Sequence, residues 1–249
     1  MTVVDATTEE RAEAVRAFDA AYGRMDRTLW TLSRAGRPWL LRGEESPILD
    51  ELVWALKSWW GVQGVRSATK RAMGAALANL DWAPEFFEEK YLPAGQSEAF
   101  ACEAVRNLVA ESMRLGVLRR EYSLASKVLH WLMPWRVPIF DAFVRSEVGV
   151  PESWDLPDAY RCVCQAVFAH VREMADTDTA WMGSSDPQSL LHALDKWLWW
   201  AGGGKQGTAA LVADPERVLR RLGLQPEPLD TQGPGWAPAH QSSERPSVR

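Results

Sequence analysis

The stretch SKVLHWLMPWRVPIFD, residues 126–141, decides how this chain is read. Leu124, Val128, Leu129 and Leu132 recur at helical spacing, so Ser123 through Trp131 are expected to form a helix. Lys127 lies one turn before Trp131, on the border of that apolar stripe. Pro134 stops the helix, and Pro138 biases its predecessor away from the helical region, so WRVP crosses back in extended form. Asp141 then stands where the N-cap of a short helix, Ala142 to Val148, is expected. An acid is favoured there by cap hydrogen bonds and by the helix dipole, which also keep it ionised. The layout brings a lysine and a carboxylate to one end of two antiparallel helices. They are either a catalytic dyad or a salt bridge pinning two helix ends.

Working outward, almost every segment reads as helix. Residues 7–33 open on a capping-box pattern, Thr7-Thr8-Glu9-Glu10, and carry Val15, Phe18, Tyr22, Met25, Leu29 and Leu32 on one stripe. Gly36-Arg37-Pro38 is expected to end that helix. A second starts after Ser46-Pro47, carries Leu49, Leu52, Val53, Leu56 and Trp60, and closes at Gly61 and Gly64. Residues 67–80, 84–91 and 97–115 follow, the last with Phe100, Val105, Leu108, Val109 and Met113 as its face and Gly116 past its end. Another helix is expected over 157–175. Asp186-Pro187 and Asp214-Pro215 each read as an N-cap with proline at the first helical position. The former opens a helix with the stripe Leu190, Leu191, Leu194, Trp197 and Leu198; its neighbours Asp195 and Lys196 are expected near the surface. Gly223 stops the latter. No alternating run bounded by hairpin turns and no internal repeat is present. The fold class is therefore all-α, a multi-helix globular unit over 1–224 in one or two lobes. Residues 225–249, rich in Pro, Gly, Ser and Gln, are expected to be a disordered tail.

With 47% hydrophobic and 24% charged residues, the chain has enough apolar material for a globular core. Most of its 14 tryptophans fall at helical spacing, which reads as core packing; the others are candidates for stacking on bases or on a partner protein. A net charge of −5 argues against gripping duplex DNA through many phosphates. Locally the balance differs: between Arg106 and Arg145 seven Lys/Arg face three Asp/Glu, an excess of +4 around the opening stretch. The first fifteen residues are acidic and polar rather than a secretory leader. No apolar run reaches the roughly 20 residues of a membrane span. The expectation is a cytoplasmic protein without a membrane partner.

Several chemical signals fail on spacing. AGGGKQGT, residues 201–208, lacks the Ser/Thr that follows Gly-Lys in a phosphate-binding loop, and it follows a helix rather than a strand. It reads as a connector. His130, His170, His192 and His240 have no acidic or Cys companions at metal-ligand spacing, and Cys162-Val-Cys164 suits neither zinc nor a redox pair. Neither metal nor cofactor is expected. Glu88-Glu89 reads as a solvated helix face, and Cys102 sits mid-helix without a nucleophile elbow.

The run SLASKVLHWLMPWRVPIFDAFV, residues 123–144, resembles the helix-hairpin-helix DNA glycosylase superfamily, in particular bacterial proteins similar to 8-oxoguanine glycosylases. A lysine-bearing helix, an apolar stretch, a proline-containing turn and an aspartate follow in the same order. LLHALDKWLWWAG, residues 190–202, is a weaker echo of a closing helix in such proteins. The resemblance implies a DNA-repair enzyme in which Lys127 attacks C1′ of a flipped nucleotide and Asp141 assists. It places Trp131, Trp135 and Arg136 as substrate-binding residues, with the aromatic rings holding the extruded base. Two departures stand beside it. RREYSLAS holds no glycine where that family's hairpin carries Gly-x-Gly for phosphate binding. The lysine also precedes Asp141 by fourteen positions, about one turn fewer than is usual there. Three readings follow: a glycosylase-like enzyme on DNA or another nucleotide substrate, a non-catalytic helical binding or scaffold protein with the same fold, and an unrelated helical enzyme using Lys127 or the tryptophan-rich cleft.

Overall fold

The computed structural model describes residues 7–59, 67–88, 92, 95–175, 190–201 and 212–226, and every regular element among them is helical. Helix α1, Thr8–Leu41, starts with the expected capping box: Thr7 Oγ1 accepts from the Glu10 amide at 3.2 Å, and the Glu10 carboxylate accepts from the Thr7 amide at 2.7 Å. Its stripe from Val15 to Leu32 is buried throughout.

Contrary to the expected stop at Gly36-Arg37-Pro38, α1 runs on to Leu41. Pro38 falls in the last turn with its ring at the surface, so it removes one hydrogen bond without meeting the core. The actual stop is Gly43, at φ 66°, where the chain doubles back through Gly43 N–H to Leu40 O and Glu44 N–H to Trp39 O, each 3.0 Å. Gly36 serves packing instead. A Cβ there would sit 2.6 Å from Leu49 Cδ2, so its absence lets α2, Pro47–Trp59, lie close against α1.

Helix α3, Ser67–Asn79, follows, and then a single 3₁₀ turn, Pro84–Phe87, stands where a helix over 84–91 is expected. Helix α4, Gln96–Arg114, buries Val105, Leu108 and Val109, but Met113, expected on its apolar face, is 41% exposed. Gly116 ends it at φ 99°. Helix α5, Tyr122–Leu132, is buried at every position except Ser123, as a helix packed against α1, α2 and α4 must be. Helices α6, Ala142–Glu147, and α7, Leu156–Ala175, come next. Helix α8, Leu190–Ala201, packs against α1, α6 and α7. The short α9, Arg217–Arg221, rests on α1, and Gly223 follows at φ 69°.

One cluster of buried apolar side chains draws on all nine of these helices. Six tryptophans, Trp30, Trp59, Trp82, Trp131, Trp197 and Trp199, are buried in it, while Trp54 and Trp154 are exposed. No helix among the described residues is long and apolar enough to cross a membrane. The expected helix stop at Gly61 and Gly64, the helix start at Asp186-Pro187, the connector at 202–208 and the tail from 227 onward lie outside the described residues.

Candidate functional site

The turn between α5 and α6 has no regular structure, so its backbone groups need other partners. Ser126 Oγ accepts from the Phe140 amide at 2.9 Å, tying the middle of α5 to the far end of the turn. His130 Nδ1 donates to Val137 O at 2.7 Å, and the Tyr160 hydroxyl of α7 donates to Pro138 O at 3.1 Å. The Ser33 hydroxyl of α1 donates to the Trp131 carbonyl. Of the four clasps only His130 stands out in the sequence; Ser33, Ser126 and Tyr160 carry signals too weak to single out.

Held this way, the turn delivers Asp141 to the mouth of α5. Its Oδ1 accepts from the Val144 amide at 3.0 Å, the N-cap bond of α6, and its Oδ2 lies 3.3 Å from Lys127 Nζ. Lys127 is 7% exposed and Asp141 9%. The pair thus sits inside the protein rather than on its surface. Lys127, Asp141 and Trp131 line one cavity of about 30 Å³, room for a water or two.

Trp135 and Arg136 do not line that cavity. Arg136 is 2% exposed; its guanidinium donates to Glu85 O at 2.6 Å and lies over the Phe100 ring at 5.7 Å. It braces the 3₁₀ turn against α4. Its guanidinium is engaged there, on Glu85 O and the Phe100 ring, rather than with Lys127.

Behind the pair stands a set of ionic groups that no local spacing announces. Asp26 of α1 and His192, Asp195 and Lys196 of α8 line the same cavity. Asp26 Oδ2 accepts from Lys196 Nζ at 2.8 Å and from His192 Nε2 at 3.1 Å, and Lys196 also reaches Asp19 Oδ1 at 2.6 Å. Lys196, expected near the surface, is 1% exposed. On α8 it is flanked by core residues Leu194 and Trp197, and its ammonium finds two carboxylates from α1 instead of water. A faint signal exists in retrospect: Asp19 and Asp26 are seven apart on the apolar side of α1, and His192 and Lys196 are four apart on α8.

The hydrogen bonds fix proton positions along this chain of groups. Val137 O can only accept, so His130 Nδ1 carries a proton. Burial, with the neighbouring His192, pushes His130 down to about 3, so it is neutral and its Nε2 accepts from His192 Nδ1 at 2.7 Å. The other nitrogen of His192, Nε2, lies on Asp26 Oδ2, which closes the line of contacts from Val137 O to Asp26. Burial opposes ionising Asp26, yet the Lys196 and His192 charges outweigh it and hold the carboxyl down at about 2. Lys196 is the ammonium that the two α1 carboxylates, Asp19 and Asp26, share. Among the described residues, no three His, Cys, Asp or Glu side chains gather into a metal-binding group.

Comparison of the chain with protein-family models, with curated proteins and with solved structures gives no match in any of the three.

Proposed function

We propose that the protein is a DNA glycosylase-like enzyme that removes a base from a nucleotide, with Lys127 as nucleophile and Asp141 as the assisting carboxylate. The observation that carries the reading is the enclosed Lys127–Asp141 pair, 3.3 Å apart on the wall of one cavity. The residue order of 123–144 agrees with that family's order of helix, turn and aspartate.

The chemistry asks three things of these residues. An ammonium has no lone pair, so Lys127 must release a proton before its nitrogen can bond to C1′. Asp141 is the nearest acceptor, and as a fixed anion it also favours the positive charge that develops on the sugar as the base departs. Its second oxygen stays on the Val144 amide, so the carboxylate keeps its orientation during the exchange. A base itself needs more room than about 30 Å³, since small-molecule pockets run to roughly 300 Å³ or more. The reading therefore requires the walls to part when a nucleotide binds.

That same volume favours the second reading, a non-catalytic helical protein in which the ion pair is a structural clasp. Borohydride trapping separates them. On the first reading, a lesion-bearing oligonucleotide becomes covalently attached to the wild type and not to Lys127→Gln. On the second, neither protein traps any of the lesions offered.

A further inference from the structure

Three carboxyl groups line the cavity, and two of them are paired with basic side chains. Asp26 takes Lys196 and His192; Asp141 takes Lys127 and the Val144 amide. The third, Asp195, has neither a hydrogen bond nor an ion pair with any described residue. Its sequence neighbour Lys196 is turned to the α1 side, one hundred degrees around the helix, and spends its charge on Asp19 and Asp26. Asp195 lines the cavity together with Asp141, the N-cap of α6, which packs on α8, and it feels the charge of Asp141.

A partly buried carboxyl without a counter-ion is costly as an anion and cheap as an acid. Burial first, then the charge of Asp141, pushes Asp195 well above the ordinary carboxylate range; Lys127 and Lys196 offset this only in part. The cavity thus sets a carboxyl that favours its protonated form beside one held by Lys127 and the Val144 amide. Environments that separate two carboxyls in this way mark distinct acid and base roles.

We propose that Asp195 is the general acid of the site, the group that protonates the departing base while Lys127 attacks the sugar. The inference rests on the base-excision reading above. In the step, Lys127 has passed a proton to Asp141, and its lone pair forms the N–C1′ bond. The glycosidic bond breaks, its electron pair goes to the base nitrogen, and that nitrogen takes the proton of Asp195. The products are a sugar joined to the Lys127 nitrogen, a neutral free base, a protonated Asp141 and an Asp195 carboxylate. Charge balances and no oxidant or reductant is consumed.

An abasic site separates this proposal from the reading beneath it, because no base remains to be protonated there. The probes are duplexes carrying an abasic site, 8-oxoguanine, hypoxanthine, uracil or an alkylated adenine, each trapped with borohydride. The wild type should trap on the abasic duplex and on at least one base-bearing duplex, and Lys127→Gln on none. Asp195→Asn should match the wild type on the abasic duplex, which also shows that it is folded. On the base-bearing duplex it should slow about 100-fold or more, the usual loss on removing a general acid. Asp195→Glu should recover part of that rate. Equal rates for Asp195→Asn and wild type on the base-bearing duplex overturn the role of Asp195 and leave the excision reading standing. Equal losses on both duplexes overturn it too, since they mark a structural role. If the wild type traps nothing, or traps only the abasic duplex, base excision itself falls and Asp195 with it.

Discussion

Lys196 and Asp195 are adjacent in sequence and opposite in circumstance. Lys196 is fully buried between two carboxylates, so removing its charge strands Asp26 with a single partner. Lys196→Met is expected to destabilise by about 3 kcal/mol, as deleting one member of a buried ion pair does. Chemical denaturation should show this as a lower midpoint with an unchanged slope. Asp195 points the other way. Because its folded carboxyl is raised, its contribution is favourable at acid pH and is lost as pH rises above the unfolded value of 3.8. Asp195→Asn removes a group whose folded form favours the protonated acid, while in the unfolded chain it ionises above 3.8. Its melting temperature should therefore exceed that of the wild type at pH 7 and match it more closely near pH 4. A lower Tm at both values would mean that Asp195 makes a structural contact.

At the scale of elements, the site depends on how the turn between α5 and α6 is held. Ser126 satisfies the Phe140 amide inside the protein. Ser126→Ala leaves that donor unpaired at a cost of about 1–3 kcal/mol. It should also loosen the turn that carries Asp141, so any trapping activity of Lys127 should fall with it. Leu194, with no exposed surface, anchors α8 to the core. Leu194→Ala should cost ~2–5 kcal/mol by the measure of other large-to-small core changes. A near-neutral result would show that α8 can collapse into the space left behind. The end of α1 carries a third expectation at this scale. Pro38 lies within the last turn of α1 and is exposed, so Pro38→Ala restores a helical amide without disturbing packing. Thermal melts should show an equal or higher Tm.

Over the whole molecule, the buried ionic groups set the response to acid. His130 is held neutral down to about 3, whereas in the unfolded chain it protonates near 6.5. Its depressed value makes stability fall as pH drops from 6.5 toward 3. Asp26, lowered from 3.8 to about 2, supplies stability that is present above 3.8 and lost as pH falls through 2. Asp195 acts in the opposite sense above 3.8. Above 3.8 the effect of Asp195 therefore opposes that of His130, and below 3.8 those of His130 and Asp26 add. Acid unfolding should be steepest below pH 3.8, with a flatter region above it. His130→Asn, whose amide can donate to Val137 and accept from His192, should lose the part of the slope between 3 and 6.5. Melting curves across pH for wild type and this variant test the assignment; identical slopes would refute it.

The sequence by itself determined the helical class, because apolar residues repeat at the 3.6-residue period nearly everywhere. It also located Thr7 and Asp141 as caps, Ser46-Pro47 as a helix start and Gly116 as a stop, since capping is local chemistry between residues two to four positions apart. Lys127 and Asp141 could be matched from sequence for the same reason: one short turn joins their helices. Only the tertiary structure decided the rest. Whether Pro38 ends α1 depends on what its ring touches, and whether Gly36 is a break or a point of close approach depends on α2. Arg136 finds its partner Glu85 across 51 positions, a pairing that sequence spacing does not contain. Asp26 meets His192 across 166 positions and Lys196 meets Asp19 across 177. Burial turns these isolated charges into one paired cluster, because inside a protein each ion needs a partner that water would otherwise provide.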